Sequence, residues 1–283
     1  MKNRRRLIMS SMGLAACFWL QSCTNSPEIS ESTDQLQGKL VLTGSSTVAP
    51  LAAEIGKRFE SENPEVRVDV QTGGSSRGIA DTRQGVADIG MVSRNLKEEE
   101  QELQAFAIAR DGIGVIVHQD NPVESLSDQQ IVDIYTEKID NWQAVGGINS
   151  PITVVNKAEG RSTLELFLKY FNLNNSNIQA DVIIGDNQQG IKTVSGNPDA
   201  IGYVSIGTAE YSIENGTPIK LLPVGGIAAT TENVQNGTFP LSRTLNLVTK
   251  TQPQGLDQTF INFAQSQQVQ DIVKNQNFVP VSE

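Results

Sequence analysis

The sequence predicts an α/β protein whose strands form mostly parallel sheets flanked by helices. Three observations lead there. Short apolar or β-branched runs alternate with segments of helical spacing along most of the 283-residue chain. Glycine is frequent, at 24 residues, and gathers where apolar runs give way to helical patterns. Those same junctions are rich in serine and threonine, the residue types that cap helix starts.

The first stretch is read as an export signal. Lys2, Arg4, Arg5 and Arg6 precede an apolar run, Leu7 to Leu20, too short to cross a bilayer comfortably. Both cysteines, Cys17 and Cys23, fall in or just after it. A cysteine ending such a run resembles a bacterial lipoprotein signal. "LQSC", Leu20 to Cys23, is preferred over "LAAC", Leu14 to Cys17, because lipidation at Cys17 would leave Phe18-Trp19-Leu20 exposed just past the lipid. Residues 1–22 are therefore expected to be the signal, Cys23 the lipidated residue, and 23–38 a polar tether. An ordinary cleaved signal with incidental cysteines is the alternative.

After the tether the elements follow in order. Lys39 to Leu42 reads as a strand, and Val48, Leu51, Ala52, Ile55 and Phe59 mark one face of a helix. Val66 to Val70 alternates as a strand, Arg77 to Gln84 reads as a helix and Ala87 to Val92 as a strand. Glu98 to Gln104 is expected to be helical and Phe106 to Ile108 extended. Ile113 to Val117 is expected to be an apolar strand ending at a Pro-containing turn. Ser127 caps a helix over Asp128 to Tyr135. Strands at Ile152–Val155, Val182–Ile184 and Ile201–Val204 alternate with helices at Ser162–Phe171 and Gln188–Ser195. Thr244 to Thr249 is a last strand, with helices near Leu256–Ala264 and Val269–Asn275.

Three strand-to-helix junctions carry candidate chemistry: "GSSTVAP" (Gly44 to Pro50), "GGSSRGI" (Gly73 to Ile79) and "NKAEGRSTLELF" (Asn156 to Phe167). A helix start leaves backbone N–H groups unpaired and carries roughly half a positive charge. Glycine lets a ligand approach the backbone, and neighbouring hydroxyls add donors. Such junctions form an oxyanion cradle without bulk positive charge. That matters because the chain carries net charge −10, which argues against nucleic-acid binding.

Other chemistries fit less well. Gly74-Ser75-Ser76-Arg77-Gly78 matches the G-x-S-x-G elbow of serine hydrolases, with Asp88 or Asp111 as formal acid and His118, the single histidine, as base. A histidine only about forty residues downstream is cramped for that fold. A secreted serine hydrolase is thus kept as an alternative. One histidine and no cysteine after the tether exclude structural zinc. The Glu98-Glu99-Glu100 run with Glu102 reads as a solvated face, and no Walker A or dinucleotide motif is present, so no cofactor is expected.

"GSSTVAPL", "GGSSRGI", "ADIGMVSRNLK", "DGIGVIVHQDNPV", "IVDIYTEKIDNWQAVGG", "AIGYVSIG" and "FPLSRTLNLVTK" together resemble the PstS-type phosphate-binding proteins of phosphate ABC transporters. The likeness spans about Lys39 to Val281. It implies a two-lobed periplasmic-binding-protein (type II) fold, each lobe a mostly parallel sheet flanked by helices, joined by a two-crossing hinge. It further implies no catalysis, one inorganic phosphate held between the lobes, and delivery to ABC permease subunits. By position, the resemblance places Ser46 and Thr47 on the anion, then Ser75 with the backbone of Ser76 and Gly78, then Ser93 and Arg94. In the second lobe, where the family commonly shows R-x-x-G-S-G-T, this chain has Lys157-Ala158-Glu159-Gly160-Arg161-Ser162-Thr163. Lys157 thus replaces an arginine, Arg161 offers a guanidinium four residues on, and Ser162 and Thr163 open the helix. Some family members place an aspartate where Ser93 stands, which accepts the proton of hydrogen phosphate. Its absence leaves sulfate or another tetrahedral oxyanion open as ligand.

The resemblance sets the first crossing near Ile116 to Gln119 and the second near Phe239 to Arg243. Lobe one is expected to hold residues 39–115 with 241–283, and lobe two 116–240. The exported protein is expected to be a monomer, attached to a membrane only through its lipid, with Trp142 reporting closure.

Overall fold

The computed structural model describes residues 36–281, so the expectations for the signal, Cys23 and most of the tether lie outside the described residues. The first third runs β1 (Gly38–Gly44), α1 (Ala49–Glu62), β2 (Val66–Thr72), α2 (Ser75–Gln84) and β3 (Ile89–Val92). Strands β2 and β3 both pair parallel with β1. The helix α1 forms where expected because Leu51, Ala52, Ile55 and Phe59 fall on one buried face, with Pro50 in its first turn.

A single 15-residue strand, β4 (Gln104–His118), then replaces the two short ones expected. The predicted helix over Glu98–Gln104 is only a 3₁₀ turn at Glu98–Glu100, since three adjacent glutamates supply no apolar face. The second third contains α3 (Asp128–Tyr135), β5 (Thr153–Lys157), α4 (Ser162–Tyr170), β6 (Val182–Ile184), α5 (Asn187–Ser195) and β7 (Ala200–Ser205). Ser127 caps α3 as expected: its Oγ accepts from Gln130 N at 3.2 Å, and Gln130 Oε1 accepts from Ser127 N at 2.8 Å. Three elements were not anticipated: α6 (Ile206–Glu214), β8 (Ile219–Leu222) and α7 (Thr231–Gln235). The chain ends with β9 (Ser242–Thr249), α8 (Gly255–Ala264) and α9 (Gln270–Asn275).

The strands run in the order β2-β1-β3-β9-β4-β7-β5-β6, with β8 also on β4. The β1–β2, β1–β3, β5–β6 and β5–β7 pairings are parallel. The other four are antiparallel and all involve β4 or β9, the strands that pass between lobes, so each sheet is mixed rather than mostly parallel. Strand β4 exchanges partners at Gly112/Ile113: Gln104 to Gly112 face β9, whereas Ile113 to His118 face β7 and β8. The exchange comes a few residues before the Ile116–Gln119 expected for the first crossing. On the return, Leu241 O accepts from Ile113 N at 3.0 Å and Ser242 opens β9, within the segment where the second crossing is expected.

Two main apolar cores flank this exchange. One gathers Phe59, Phe260 and Phe263, with Phe59 5.3 Å from each of the other rings. The other stacks Phe167 on Tyr203 at 3.9 Å, with Tyr135 alongside. Burying a side chain of this size contributes about 1.5–3 kcal/mol, and two separate cores let two lobes hold their shape independently. Trp142 sits wholly inside the second core with Nε1 donating to Asp199 O at 2.9 Å.

Candidate functional site

Hydrogen bonds tie the first turns of α1, α2, α4 and α5 into one buried cluster. Its centre is Arg243, at the start of β9, whose side chain is 1 % exposed. Nε and Nη2 donate to Asp111 Oδ2 on β4 at 3.0 and 2.7 Å. Nη1 reaches Thr163 Oγ1 at 2.9 Å and Ser93 Oγ at 3.5 Å, and Nη2 reaches Thr47 Oγ1 at 3.2 Å. One guanidinium thus gathers hydroxyls from both sides of the strand exchange. Asp111 compensates its charge, and Gly207 N donates to Asp111 Oδ1 at 3.2 Å, so the buried pair has its polar atoms partnered.

The predicted residues take different places around this centre. Thr47 lies in it, receiving a second bond from Asn187 Nδ2 at 3.0 Å. Ser45, not Ser46, is the inward serine of the first loop: its Oγ accepts from Thr47 N at 3.2 Å and lies 2.9 Å from Ser93 Oγ. Ser46 is half-buried and lines a separate cavity of about 340 Å³ beside Asp186 and Asn187. Ser75 is buried and accepts from Ser93 N at 3.1 Å, so both join the cluster.

The backbone of Ser76 and Gly78 is already spent. Ser76 N donates to Gly160 O at 3.2 Å, and Gly78 N donates to Gly74 O at 3.1 Å inside the helix. Gly78 is required for packing instead, because a Cβ there would lie 2.8 Å from Thr43 O on β1. Arg94 is likewise engaged elsewhere. Its fork grips Glu100 at 2.6 and 2.9 Å, and Nε lies 3.0 Å from Glu165 on α4. Burial opposes the charge of Glu100, but the Arg94 fork and the Lys97 N–H still hold its carboxyl below the usual range. Glu165 also meets Lys97 at 3.0 Å and Ser76 Oγ at 3.4 Å.

Of the second-lobe set, Thr163 and Lys157 are buried in the cluster, and Lys157 Nζ donates to Asn187 Oδ1 at 3.0 Å. Burial, then the positive charge of Arg243, bring the Lys157 ammonium down to about 7, with Arg161 acting in the same sense and Asp186 against it. Ser162 is 2 % exposed and its Oγ has no partner within the protein, so it has a donor to offer. Arg161 Nε is buried with no partner within the protein. Its guanidinium lies against Gly74 and Gly185, and a Cβ on Gly74 would lie 2.6 Å from Arg161 Nη1.

Sequence reasoning missed Arg243, Asn187, Ser45 and the structural part of Asp111. The signal for Arg243 was present: the one charged residue in "FPLSRTLNLV", a stretch leading into a strand. A cavity of about 680 Å³ opens beside it, lined also by Lys97, Arg110, Lys169 and Glu165. These cations give a locally positive mouth on a chain of net charge −10.

Among the described residues, the elbow serine and the single histidine each have another partner. Ser76 Oγ lies near Glu165, while His118 Nδ1 accepts from Asp120 N at 3.2 Å at the end of β4. Among the described residues no group of three His, Cys, Asp or Glu is placed to hold a metal ion. The arrangement is a set of donors gathered around one compensated arginine, a geometry for holding a small oxyanion.

Residues 30–268 match the PBP superfamily domain. The chain is 28% identical over 295 aligned residues to phosphate-binding protein PstS of Bacillus subtilis, covering 99% of this chain and 96% of that one. It is 28% identical over 248 residues to the PstS of Borreliella burgdorferi, covering 84% and 88%. Among solved structures, it superposes with a TM-score of 0.79 and 33% identity on a Clostridium perfringens chain described as a phosphate ABC transporter substrate-binding protein with bound phosphate. That match covers 87% of this chain and all of the other. An ABC-type phosphate transport receptor from Vibrio cholerae gives a TM-score of 0.67 at 28% identity, over 86% and 99% of the two chains. With its two lobes, crossing strands and donor-lined junctions, the chain belongs to the PBP superfamily, among the PstS-type proteins.

Proposed function

We propose that this chain binds inorganic phosphate between its lobes and delivers it to an ABC-type permease, with no chemistry performed on the ligand. The single observation that carries the reading is Arg243, which gathers hydroxyls from helix starts in both lobes. Its relatives named for phosphate binding support the choice of anion. Arg243, Thr47, Ser93, Ser162, Thr163 and Lys157 are the groups assigned to the anion. Ser45, Ser75 and Asn187 hold them in place, and Arg94 ties the lobes together through Glu165.

The energies suffice. A hydrogen bond to a charged group contributes about 1.5–3 kcal/mol, and micromolar binding needs about 8 kcal/mol net. Six donors meet that even after closure costs of several kcal/mol. Closure is stabilised because the anion contacts both lobes only when they meet, so binding shifts the population toward the closed form that a permease would read. The lobes are taken as the segments on either side of the Gly112/Ile113 exchange and of Leu241/Ser242. The basic mouth beside Arg243 is the entry for the anion. Export, the lipid at Cys23 and a monomeric state belong to the same reading.

Titration calorimetry of the purified protein with inorganic phosphate tests it. Saturable 1:1 binding at micromolar or tighter affinity is expected. An absence of heat and of any thermal stabilisation by millimolar phosphate removes the reading.

A further inference from the structure

A hydroxyl does not by itself choose between giving and taking a hydrogen bond. It carries one proton and two lone pairs, and it rotates to suit its neighbours. Thr47, assigned above to the anion, faces that choice inside the cluster, where it is 2 % exposed and its backbone N donates to Ser45 Oγ at 3.2 Å. Turned one way, its proton meets a captured oxyanion. Turned the other way, a lone pair meets the negative charge and opposes binding.

The neighbours of Thr47 settle the direction. Asn187 is the first residue of α5 and is 2 % exposed. Its Oδ1 accepts from Lys157 Nζ at 3.0 Å and from Ser205 N at 3.5 Å. A backbone N–H only donates, so the amide oxygen belongs on that side and the amide nitrogen on the other. That nitrogen, Nδ2, donates to Thr47 Oγ1 at 3.0 Å. Arg243 Nη2 donates to the same oxygen at 3.2 Å, and a guanidinium has no acceptor. Both lone pairs of Thr47 Oγ1 are then taken, and its proton is left for a third direction. Thr163, by contrast, receives Arg243 Nη1 alone among the described residues and keeps its second lone pair, so its proton is not constrained in this way.

We propose that Asn187 is a positioning residue of the anion site: by filling the last lone pair of Thr47 Oγ1 it turns that hydroxyl into a donor to the bound oxyanion. The proposal rests on the phosphate-binding reading above and adds to it the residue that sets the polarity of the first-loop contact. Asn187 acts through Thr47 and makes no bond to the anion itself. Thr47 and Asn187 lie on opposite sides of the Gly112/Ile113 exchange, so their contact exists when the lobes meet. Before then Arg243 leaves Thr47 one lone pair open, and the hydroxyl can turn either way. Closure thus completes the donor as well as bringing it to the ligand, which ties the strength of this contact to the closed form.

Neutron diffraction from perdeuterated crystals grown with inorganic phosphate tests the orientation directly, in a readout that a space-filling or lobe-tying role for Asn187 would not fix. The Thr47 Oγ1 deuteron should point at a phosphate oxygen, and one Nδ2 deuteron of Asn187 should point at Thr47 Oγ1. The second arm is Asn187→Asp, which keeps the shape and one acceptor for Lys157 and Ser205 but sets a carboxylate oxygen against Thr47. That oxygen accepts only, so it draws the Thr47 proton away from the ligand. Phosphate affinity of the variant, by calorimetry at pH 8, should fall at least tenfold, the loss of one hydrogen bond to a charged group. A parent Thr47 deuteron directed at anything other than a phosphate oxygen, or a variant that binds phosphate within threefold of the parent, overturns the role of Asn187 and leaves the phosphate reading standing. No heat from the parent with phosphate, and no phosphate in its crystals, overturns the reading itself.

Discussion

Replacing Arg243 by lysine keeps the charge and removes the fork, and the structure lets the loss be worked out. The guanidinium spends Nε and one Nη2 bond on Asp111, leaving Nη1 and the rest of Nη2 toward Thr163, Ser93 and Thr47. A lysine that stays paired with Asp111 cannot also hold the Thr163, Ser93 and Thr47 hydroxyls in place around an anion. Two charge-assisted bonds at about 1.5 kcal/mol each, the low end of the range, amount to about 3 kcal/mol. That is a loss of roughly 150-fold in phosphate affinity. Calorimetry at pH 8 measures it, with urea unfolding as the control for structure. The control matters because Arg243→Met strands a buried carboxylate, at a cost of about 3–5 kcal/mol in stability. The double variant Arg243→Met with Asp111→Asn should recover most of that stability and none of the binding. Phosphate affinity of Arg243→Lys within threefold of the parent would refute the central place given to this residue.

Three further outcomes are expected. Gly74→Ala puts a Cβ 2.6 Å from both Arg161 Nη1 and Gly160 O at a backbone φ of +93°, so phosphate affinity should fall at least tenfold, and Arg161→Ala should restore part of it because one of the two clashes is then gone. Glu165→Gln removes the carboxylate that meets Arg94 and Lys97 across the lobes. Its partly exposed position limits the effect to about 1 kcal/mol, to be read in calorimetry as roughly a fivefold weaker phosphate affinity and in scattering as a more open unliganded form. Glu100→Gln breaks the buried Arg94 fork and should cost about 3 kcal/mol in urea unfolding at pH 7. Because the folded carboxyl titrates below its usual value, its contribution is present above that value and is lost as pH falls through the folded pKa. The gap between parent and variant should therefore close below about pH 4.

Much of this fold could be read from local pattern alone. Helices α1, α3, α4 and α5 and strands β2, β6 and β7 have their apolar residues at the spacing of their type, and Ser127 and Asp186 cap α3 and α5, so short-range chemistry fixes them within a residue or two. The hydroxyl-rich junctions also announced themselves, because a helix start needs donors and caps whatever it binds. What no local pattern contains is the direction a side chain takes once two lobes meet. Ser45 and Ser46 are indistinguishable in sequence, yet one turns into the cluster and the other lines a groove. Arg94 reads as an anion ligand until α4 brings Glu165 against it and the 3₁₀ turn brings Glu100. Arg243 is 132 residues from Asp111 and 196 from Thr47, separations over which only the antiparallel pairing of β4 with β9 and the return of the chain into β9 create contact. The sequence by itself determined the elements and the chemistry of their junctions, through interactions a few residues apart. Tertiary structure decided which donors share one centre, since burial, compensation of charge and access to a ligand arise only where distant segments pack together.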